Sequence, residues 1–296
     1  MYGSILLPLD GSQFSEAALP VALGLSRKTG ATIRLVSVIE FFPTSAPYGW
    51  EDAARDQALG YLTEMAGRIG ERAGGEITMT ASVGHAPSVI QAAAEKSDLV
   101  VMASHGRGGL SRAWLGSVAD HVVRHAKNPV LLVRPEDAPE TDFAQDWAVS
   151  KMLLPLDGSG ESEAILEHAL ELGSLFDASY HLVRVVPTPR LFSSSYPPHL
   201  IQANRERALK EEKEATDYLK EHAERMGAEG LTVAHEVLSG GQPAHDILGE
   251  ARRTGCDLIA ISAHGRGSLA RAVLGSTSDK VVRGSHLPVL LYRARD

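Results

Sequence analysis

Two segments of the chain combine histidine, glycine, arginine and serine in a spacing that suits phosphate binding. His-Gly-Arg-Gly begins at His105 and again at His264, and Leu-Gly-Ser follows at residues 115–117 and 274–276. Glycines let the backbone approach a ligand closely, and a helix that begins after them directs its unpaired N–H groups at an anion. A serine hydroxyl in each copy adds a further donor. The pattern predicts a phosphate-binding loop without a lysine, built twice.

Two better-known phosphate loops are excluded by the residues present. A Walker A loop needs a Gly-Lys dipeptide, and the chain contains none. The dinucleotide-binding fingerprint needs a third glycine three positions after Gly108, where the chain has Ser111. We interpret His105 and His264 as turn-stabilising rather than as acids or bases, because no matched nucleophile or carboxylate lies nearby in the sequence. The other histidines share no metal-ligand spacing, so no metal site is expected from them.

The two halves of the chain repeat one another in order. Leu-Leu-Pro-Leu-Asp-Gly-Ser occupies residues 6–12 and 153–159, and Pro-Val-Leu-Leu occupies residues 129–132 and 288–291. The repeats lie half a chain length apart, which indicates a duplicated domain rather than a solenoid with a period of about 20 to 50 residues. We therefore predict a first domain over 1–135, a linker over 136–148 and a second domain over 149–296.

Short apolar runs alternate with longer amphipathic segments in each half. The predicted strands are 5–9, 32–39, 77–82, 99–103 and 130–134, then 152–156, 179–186, 231–238, 258–262 and 289–293. The predicted helices are 13–29, 52–73, 86–96 and 117–126, then 161–176, 203–226, 244–254 and 276–285. Alternation of this kind implies parallel strands covered by helices on both faces. The predicted fold class is α/β, with two tandem doubly wound (flavodoxin/Rossmann-like) domains, each with a five-stranded parallel sheet.

Composition narrows the classes of partner and compartment. The chain has 296 residues, a formal net charge of −8 and a 44% hydrophobic content. A negative charge argues against non-specific binding to nucleic acid or to an anionic membrane, and no apolar run reaches the roughly 20 residues of a membrane span. The chain shows no signal-peptide pattern, and Cys256 is its only cysteine, so no oxidising compartment is implied. We expect a cytoplasmic protein.

Ligands of open doubly wound sheets bind outside the carboxyl ends of the strands, where the strand order reverses. Asp10 and Asp157 follow the first strand of each half and are the acids at that mouth in both copies. They suit contact with a ribose or a metal better than two-carboxylate hydrolysis, which needs a positioned pair. Ser12 and Ser159, two residues further on, are predicted N-caps of the helices that follow.

The paired Leu-Asp-Gly-Ser and His-Gly-Arg-Gly elements resemble the universal stress proteins in their tandem two-domain form. The family's nucleotide motif is Gly-x2-Gly-x9-Gly-Ser/Thr, and only some members bind ATP. The chain departs from this motif at its first glycine, which is Ala103 in one half and Ser262 in the other. If that glycine only admits the ligand, alanine obstructs it mildly and serine more. If it needs positive φ, both substitutions cost about 1 kcal/mol.

The resemblance implies ATP as the ligand, accompanied by Mg²⁺. ADP, AMP and cyclic AMP stay open as alternatives, because they would share the adenine contacts and only the phosphate loop discriminates. Adenosine would contact the first-strand end and the second strand, and the glycine loop with the following helix would hold the phosphates. In the first half the implied residues are Pro8, Leu9, Asp10, Val38, Ala103, His105, Gly106, Arg107, Gly116, Ser117 and Val118. In the second half they are Pro155, Leu156, Asp157, Val185, Ser262, Gly265, Arg266, Gly275, Ser276 and Thr277. Arg107 and Arg112, repeated as Arg266 and Arg271, either clamp phosphates or are simply solvated.

The resemblance also implies a role. We expect a stress-response protein whose ATP occupancy changes its conformation or its choice of a regulatory protein partner. The segments 129–134 and 288–293 would pair and dock the two halves, and a homodimer of two chains is a further expectation. Two alternatives stay open: a slow ATPase or other nucleotide-handling enzyme, and a docking module that binds no nucleotide. No duplicated general base or nucleophile beside the loop supports the enzyme.

Overall fold

The computed structural model describes residues 2–40, 49–105, 115–135, 146–187, 198–263 and 274–294. The first half contains five strands, β1 Ser4–Pro8, β2 Thr32–Ile39, β3 Ile77–Val83, β4 Leu99–Ala103 and β5 Val130–Val133. Its helices are α1 Gln13–Glu16, α2 Leu19–Thr29, α3 Trp50–Ile69, α4 Ala86–Ala94 and α5 Ser117–His125, with a 3₁₀ turn at Gly70–Arg72.

The second half repeats this order. Its strands are β6 Lys151–Pro155, β7 Ser179–Pro187, β8 Val233–Gly240, β9 Leu258–Ser262 and β10 Val289–Tyr292. Its helices are α6 Gly160–Glu163, α7 Ile165–Ser174, α8 Pro198–Ala228, α9 Pro243–Thr254 and α10 Ser276–Gly284. The predicted α/β class and the ten predicted strands are confirmed, with strand ends displaced by one or two residues at most.

All ten strands join one sheet in the order β3-β2-β1-β4-β5-β10-β9-β6-β7-β8. Within each half the strands are parallel. The strand order reverses between β1 and β4, and between β6 and β9, which are the two switch points of a doubly wound sheet. β5 and β10 pair antiparallel, with Leu131 opposite Leu290. We call the boundary between these two strands the seam.

The helix predicted over 13–29 is wrong in one respect, because it is two helices. Ser12 caps α1, and α2 begins afresh at Leu19 with a proline in its first turn. The same division follows Glu163 in the second half, where α6 ends and α7 begins after Ala164 without any proline. The break therefore belongs to the fold and is not caused by Pro20.

The long helix α8 begins five residues earlier than predicted, at Pro198, a residue that suits the first turn of a helix because its missing N–H is not needed there. Three i,i+4 ion pairs lie on its exposed face among the described side chains, a pattern typical of a solvated helix. They join Arg207 to Glu211, Lys210 to Glu214, and Lys220 to Glu224. None of the helices in the described parts of the chain is long and apolar enough to cross a membrane.

Each face of the sheet carries one hydrophobic core that continues across the seam. The core on one face includes Leu23 of α2 and Leu172 of α7, together with Leu131 and Leu290 of the seam strands. The core on the other face joins α4 and α5 to α9 and α10. Since both clusters draw residues from both halves, the two duplicated units share their packing.

Candidate functional site

The loop after β1 holds Asp10 in a fixed position at the switch point. Its Oδ1 accepts hydrogen bonds from the backbone N–H of Ser12 at 2.9 Å and from the Ser12 hydroxyl at 2.5 Å. The Ser12 side chain in turn accepts from the N–H of Ser15, so the predicted N-cap is confirmed. Gly11 has φ of 79°, a left-handed conformation that favours glycine.

The second copy has the same loop. Asp157 Oδ1 accepts from the N–H and hydroxyl of Ser159 at 2.9 and 2.5 Å, and Ser159 caps α6 through the N–H of Ser162. Gly158 has φ of 82°. The acids predicted at the mouth are therefore presented by two nearly identical, internally hydrogen-bonded turns.

Gly116 joins the end of β4 to the start of α5. Its N–H donates to Ser104 O at 2.8 Å, and its own carbonyl accepts from the N–H of Asp120 at 2.8 Å, which opens the helix. Its φ of −58° and ψ of 148° suit any residue. A Cβ at this position would lie 3.3 Å from Ser104 O. Glycine is therefore favoured here by the close approach of two backbones and not by positive φ.

Gly275 occupies the equivalent position before α10. Its N–H donates to Ala263 O at 2.8 Å, and its carbonyl accepts from Asp279 N at 2.8 Å. Because both glycines are tied to the strand that precedes the loop, the first turns of α5 and α10 are held at the carboxyl edge of the sheet.

The first turn of each helix is the part of the site that suits an anion. The first N–H groups of a helix have no acceptor inside it, and they carry the positive end of the helix dipole. Ser117 and Ser276 are exposed at this turn, while Val118 and Thr277 are partly buried. The arrangement can donate hydrogen bonds to phosphate oxygens from backbone N–H groups and one hydroxyl.

The residues that replace the first motif glycine lie at strand ends. Ala103 pairs with Val133 and Ser262 with Tyr292 in regular parallel register, and both side chains are buried. Among the described residues other than glycine, only Asp177 has positive φ. The alternative in which this position needs positive φ is therefore wrong for this chain.

His105 follows the buried Ser104 and contacts it through the side chain. Its Nδ1 lies 2.9 Å from Ser104 Oγ, and its buried Nε2 has no hydrogen-bond partner among the described residues. Burial lowers the pKa of His105, and the charge of Arg134 lowers it further. A neutral imidazole at this point suits the turn-stabilising interpretation better than a cationic contact to phosphate.

The remaining predicted residues divide into two groups. Leu9 and Leu156 are buried just after β1 and β6, which end at Pro8 and Pro155. The strand residues Val38 and Val185, both half-buried near the same edge, pair with the third strands of their halves. The others lie outside the described residues: Gly106, Arg107, Arg112, His264, Gly265, Arg266 and Arg271.

Two arginines near the site were missed. Arg134 donates to the carbonyls of Arg283 and Ser285 at 2.9 Å each, and Arg293 donates to Arg124 O at 2.6 Å. Each arginine thus reaches from one half into the other. A signal was available, because each stands five positions after the repeated Pro129 or Pro288.

One further cluster has ligand types that a metal could use. The ligand atoms of His181, Glu236 and Glu250 lie within 4.8 Å of one another. Arg253, however, forms ion pairs with both carboxylates, and its guanidinium already supplies the positive charge that a metal ion would bring. These three residues lie on β7, β8 and α9 and are not among the predicted nucleotide residues.

Comparison with known proteins identifies the family. The universal stress protein family model matches residues 1–134 and again 149–293. A universal stress protein of Mycolicibacterium smegmatis is 27% identical over 303 residues, covering 99% of this chain and 98% of its own length. The Bacillus subtilis universal stress protein YxiE is 33% identical over 150 residues, covering 49% of this chain and 99% of its own.

The fold of a solved family member is similar over the whole chain. The crystal structure of a universal stress protein from Archaeoglobus fulgidus superposes with a TM-score of 0.72 at 25% identity, covering 99% of this chain and 97% of that one. Two family matches, full-length relatives and the duplicated switch-point loops agree with one another. The chain belongs to the universal stress protein family, as a member with two tandem domains.

Proposed function

We propose that this protein binds ATP at both switch points and acts in the cytoplasm as a nucleotide-dependent regulator of a stress response, without appreciable turnover. The observation that carries the proposal is the pair of helix starts at Gly116 and Gly275, each tied by a 2.8 Å backbone hydrogen bond to the preceding strand end. A preformed, repeated helix N-terminus at a switch point is a natural phosphate site.

The phosphate end of the site depends on the room around its glycine. A Cβ at Gly116 would already contact Ser104 O at 3.3 Å, so a larger group there would displace either the strand end or the ligand. The chain beyond it offers the N–H groups of Ser117 and Val118, and in the second copy those of Ser276 and Thr277. This geometry fits a polyphosphate that approaches the backbone without a lysine.

The adenosine end depends on the loop after the first strand. Asp10 and Asp157 are held by their serine turns, and Val38 and Val185 end near the same edge. These acids suit the ribose hydroxyl groups or Mg²⁺. When bound, Mg²⁺ would neutralise part of the triphosphate charge, and the chain's residues would orient the nucleotide around it.

A regulator is favoured over an enzyme by the state of the polar groups at the mouth. Asp10 Oδ1 accepts two hydrogen bonds from Ser12, so this oxygen is already engaged in the turn. The Nδ1 of His105 is turned to Ser104 Oγ. The occupancy signal would pass to a regulatory protein partner, and a homodimer of two chains is part of the same proposal.

The decisive test is calorimetric titration of nucleotide-stripped protein with Mg-ATP. We expect saturable binding to the parent protein, loss of one site in Gly116→Glu and loss of the other in Gly275→Glu, because a carboxylate there repels the phosphates. Gly67→Glu is the matched control: Gly67 is exposed on α3, and an added Cβ meets no atom within 4 Å. Circular dichroism checks that each variant is folded.

Two outcomes would contradict the proposal. Absence of binding to the parent would leave a docking module built on the same fold. Rapid release of inorganic phosphate from Mg-ATP would favour the enzyme over the regulator. Tight stoichiometric binding with negligible turnover is the result that we expect.

A further inference from the structure

The helices that begin the two phosphate sites are joined by ion pairs across the seam. Arg124 of α5 binds Asp120 of its own helix through two contacts at 2.7 and 2.8 Å and lies 3.8 Å from Asp279 of α10. Arg283 of α10 binds Asp279 at 2.9 Å and lies 3.6 Å from Asp120. The arrangement is reciprocal, so each arginine lies close to one carboxylate on its own helix and to one on the other helix. We call these four side chains the seam network.

The seam network is only partly accessible to solvent. Its side chains are between 23% and 30% exposed, so water and salt screen it less than a surface ion pair. The neighbouring carboxylates raise the pKa of Arg124 and of Arg283, chiefly through their hydrogen bonds to Asp120 and Asp279. Movement of one helix would therefore disturb charges held by the other.

Two arginines cross the seam in opposite directions at the far ends of these helices. Arg134, directly after β5, donates to the carbonyls of Arg283 and Ser285 where α10 ends. Arg293, directly after β10, donates to Arg124 O near the end of α5. A cation at the C-terminus of a helix satisfies its last carbonyls and favours its dipole. Each half therefore caps the site helix of the other half.

Both capping arginines are next to a phosphate site in their own half. Val133, the residue before Arg134, accepts a hydrogen bond at its carbonyl from the N–H of Ser104 at 2.8 Å. The carbonyl of Ser104 in turn accepts from the N–H of Gly116. Tyr292, the residue before Arg293, accepts the N–H of Ala263 at 2.8 Å, and Ala263 O receives Gly275 N–H. A continuous set of bonds therefore leads from each loop to the opposite site helix.

We propose that the two nucleotide sites are positively coupled through α5, α10 and the seam network, so that occupancy of one site raises the affinity of the other. The inference rests on the proposed function. A ligand bound at the first turn of α5 fixes that helix and with it Asp120 and Arg124, so α10 is ordered before its own ligand arrives. Coupling between sites typically changes affinity by about 5- to 150-fold, and we expect the lower end of that range.

The test compares the affinity of one site for Mg-ATP when the other is filled and when it is blocked. In Gly116→Glu, the affinity of the second site for Mg-ATP should be at least about fivefold lower than in the parent with its first site filled. In Gly275→Glu, the first site should weaken by the same factor, because thermodynamic coupling is reciprocal. In the double variant Arg124→Gln, Arg283→Gln, the dependence of each site on the other should fall severalfold, and any remainder measures what Arg134 and Arg293 carry across the seam.

Two further variants test whether a loss of coupling is caused only by a disturbed structure. Arg124→Lys, Arg283→Lys keeps the charge but not the two-pronged contact, so it should reduce the coupling only partly. Glu214→Gln removes one exposed α8 ion pair and should leave the coupling intact. If the glutamine double variant does not fold, the comparison of the parent with the two glycine variants still decides whether the sites are coupled, and the lysine double variant tests the seam network.

The outcomes separate this inference from the proposed function. Two sites that bind with the same affinity whatever the occupancy of the other would overturn the coupling and leave ATP binding standing. Binding at one site only would do the same. A parent protein that binds no Mg-ATP at all would overturn both.

Discussion

At the scale of single residues, one difference between the two switch points adds a hydrogen bond between the site helix and its strand. Ser278 in the first turn of α10 donates from its buried hydroxyl to Ser262 O at 2.7 Å. The first half has Ala119 at the equivalent place, which has no hydroxyl, and among the described residues the backbone bond of Gly116 to Ser104 O joins the strand end to the helix. The second site thus has one more bond between its helix and its strand, beside the strand residue Ser262 that departs furthest from the family motif.

Ser278→Ala should weaken the second site and spare the first. Loss of the buried hydrogen bond should lower the free energy of unfolding by about 1 kcal/mol and let the start of α10 move away from β9. We expect the affinity of the second site for Mg-ATP to fall severalfold in a Gly116→Glu background, measured by calorimetry. Ser174→Ala, which removes an exposed hydroxyl, is the control. Equal weakening of the first site in a Gly275→Glu background would show that the bond has no local role.

At the scale of elements, the sequence pattern was enough to place every strand but not to divide every helix. A strand of this sheet can be predicted from a short apolar run, because its side chains are buried on both faces of the sheet. The wholly buried β4 is an example. The break between α1 and α2 carries no such mark, since Ala17 and Ala18 are good helix formers and the chain turns there to pack. Propensity is a weak guide where tertiary packing decides.

The candidate site was predictable to the same extent. The spacing of aspartate and serine predicted the turns at Asp10 and Asp157, because those contacts are local in sequence, and nucleotide binding there stays a prediction. The contacts of Arg134 and Arg293 were not predicted, since they join residues more than 140 positions apart. Only the pairing of β5 with β10 brings them together, and no local pattern encodes it.

The joint between β7 and α9 is another contact that depends on tertiary packing. His181 Nε2 lies 2.7 Å from Glu250 Oε1, and both residues are 4% exposed. Arg253 covers the pair from the solvent side through Glu250. In the first half Arg34 takes the place of the histidine and donates to Lys96 O and Ser97 Oγ at 2.8 and 2.6 Å. Equivalent elements are thus connected by a histidine–carboxylate contact in the second half and by hydrogen bonds from an arginine in the first half.

The contacts of Glu250 with His181 and Arg253 should make the free energy of unfolding depend on pH in a defined direction. Hydrogen bonds from Arg253, more than those from His181, lower the pKa of Glu250 below its usual value. A carboxylate with a lowered pKa stabilises the folded protein at pH values above its pKa in the unfolded chain, about 4.3. This stabilisation is lost as the pH falls through the pKa of the carboxylate in the folded protein. Glu250→Gln should therefore lower the free energy of unfolding at pH 7 by about 1 to 2 kcal/mol.

The difference between parent and Glu250→Gln should shrink as the pH is lowered below 4 or so, because the parent carboxylate then becomes protonated. Urea denaturation at a series of pH values measures it. Glu229→Gln changes an exposed carboxylate at the end of α8 and should leave stability unchanged throughout. A difference that is constant with pH would mean that packing, and not the charge, explains the effect.

At the scale of the whole molecule, the duplicated halves share one sheet and two continuous cores. The chain just before β6 also fastens them, since Trp147 packs edge-to-face on Phe176 with ring centroids 5.4 Å apart. Trp147 lies so close to α2 that a Cβ at Gly24 would be 2.7 Å from its carbonyl oxygen. Lys28 of α2 stands over the same Phe176 ring. Sequence repetition predicts two domains, and their packing is continuous across the seam, so we expect the two halves to unfold together.

Leu131→Ala should therefore destabilise both halves together. Leu131 is fully buried at the centre of the seam, opposite Leu290, and a large-to-small change in such a core costs about 2 to 5 kcal/mol. Differential scanning calorimetry should show one transition in the parent and one transition, at lower temperature, in the variant, with equal calorimetric and van't Hoff enthalpies. Leu209→Ala on α8, where the side chain is 58% exposed, should change little. Two resolved transitions, with only one displaced by Leu131→Ala, would mean that the halves unfold separately, and the seam would then be too weak to carry coupling between their sites.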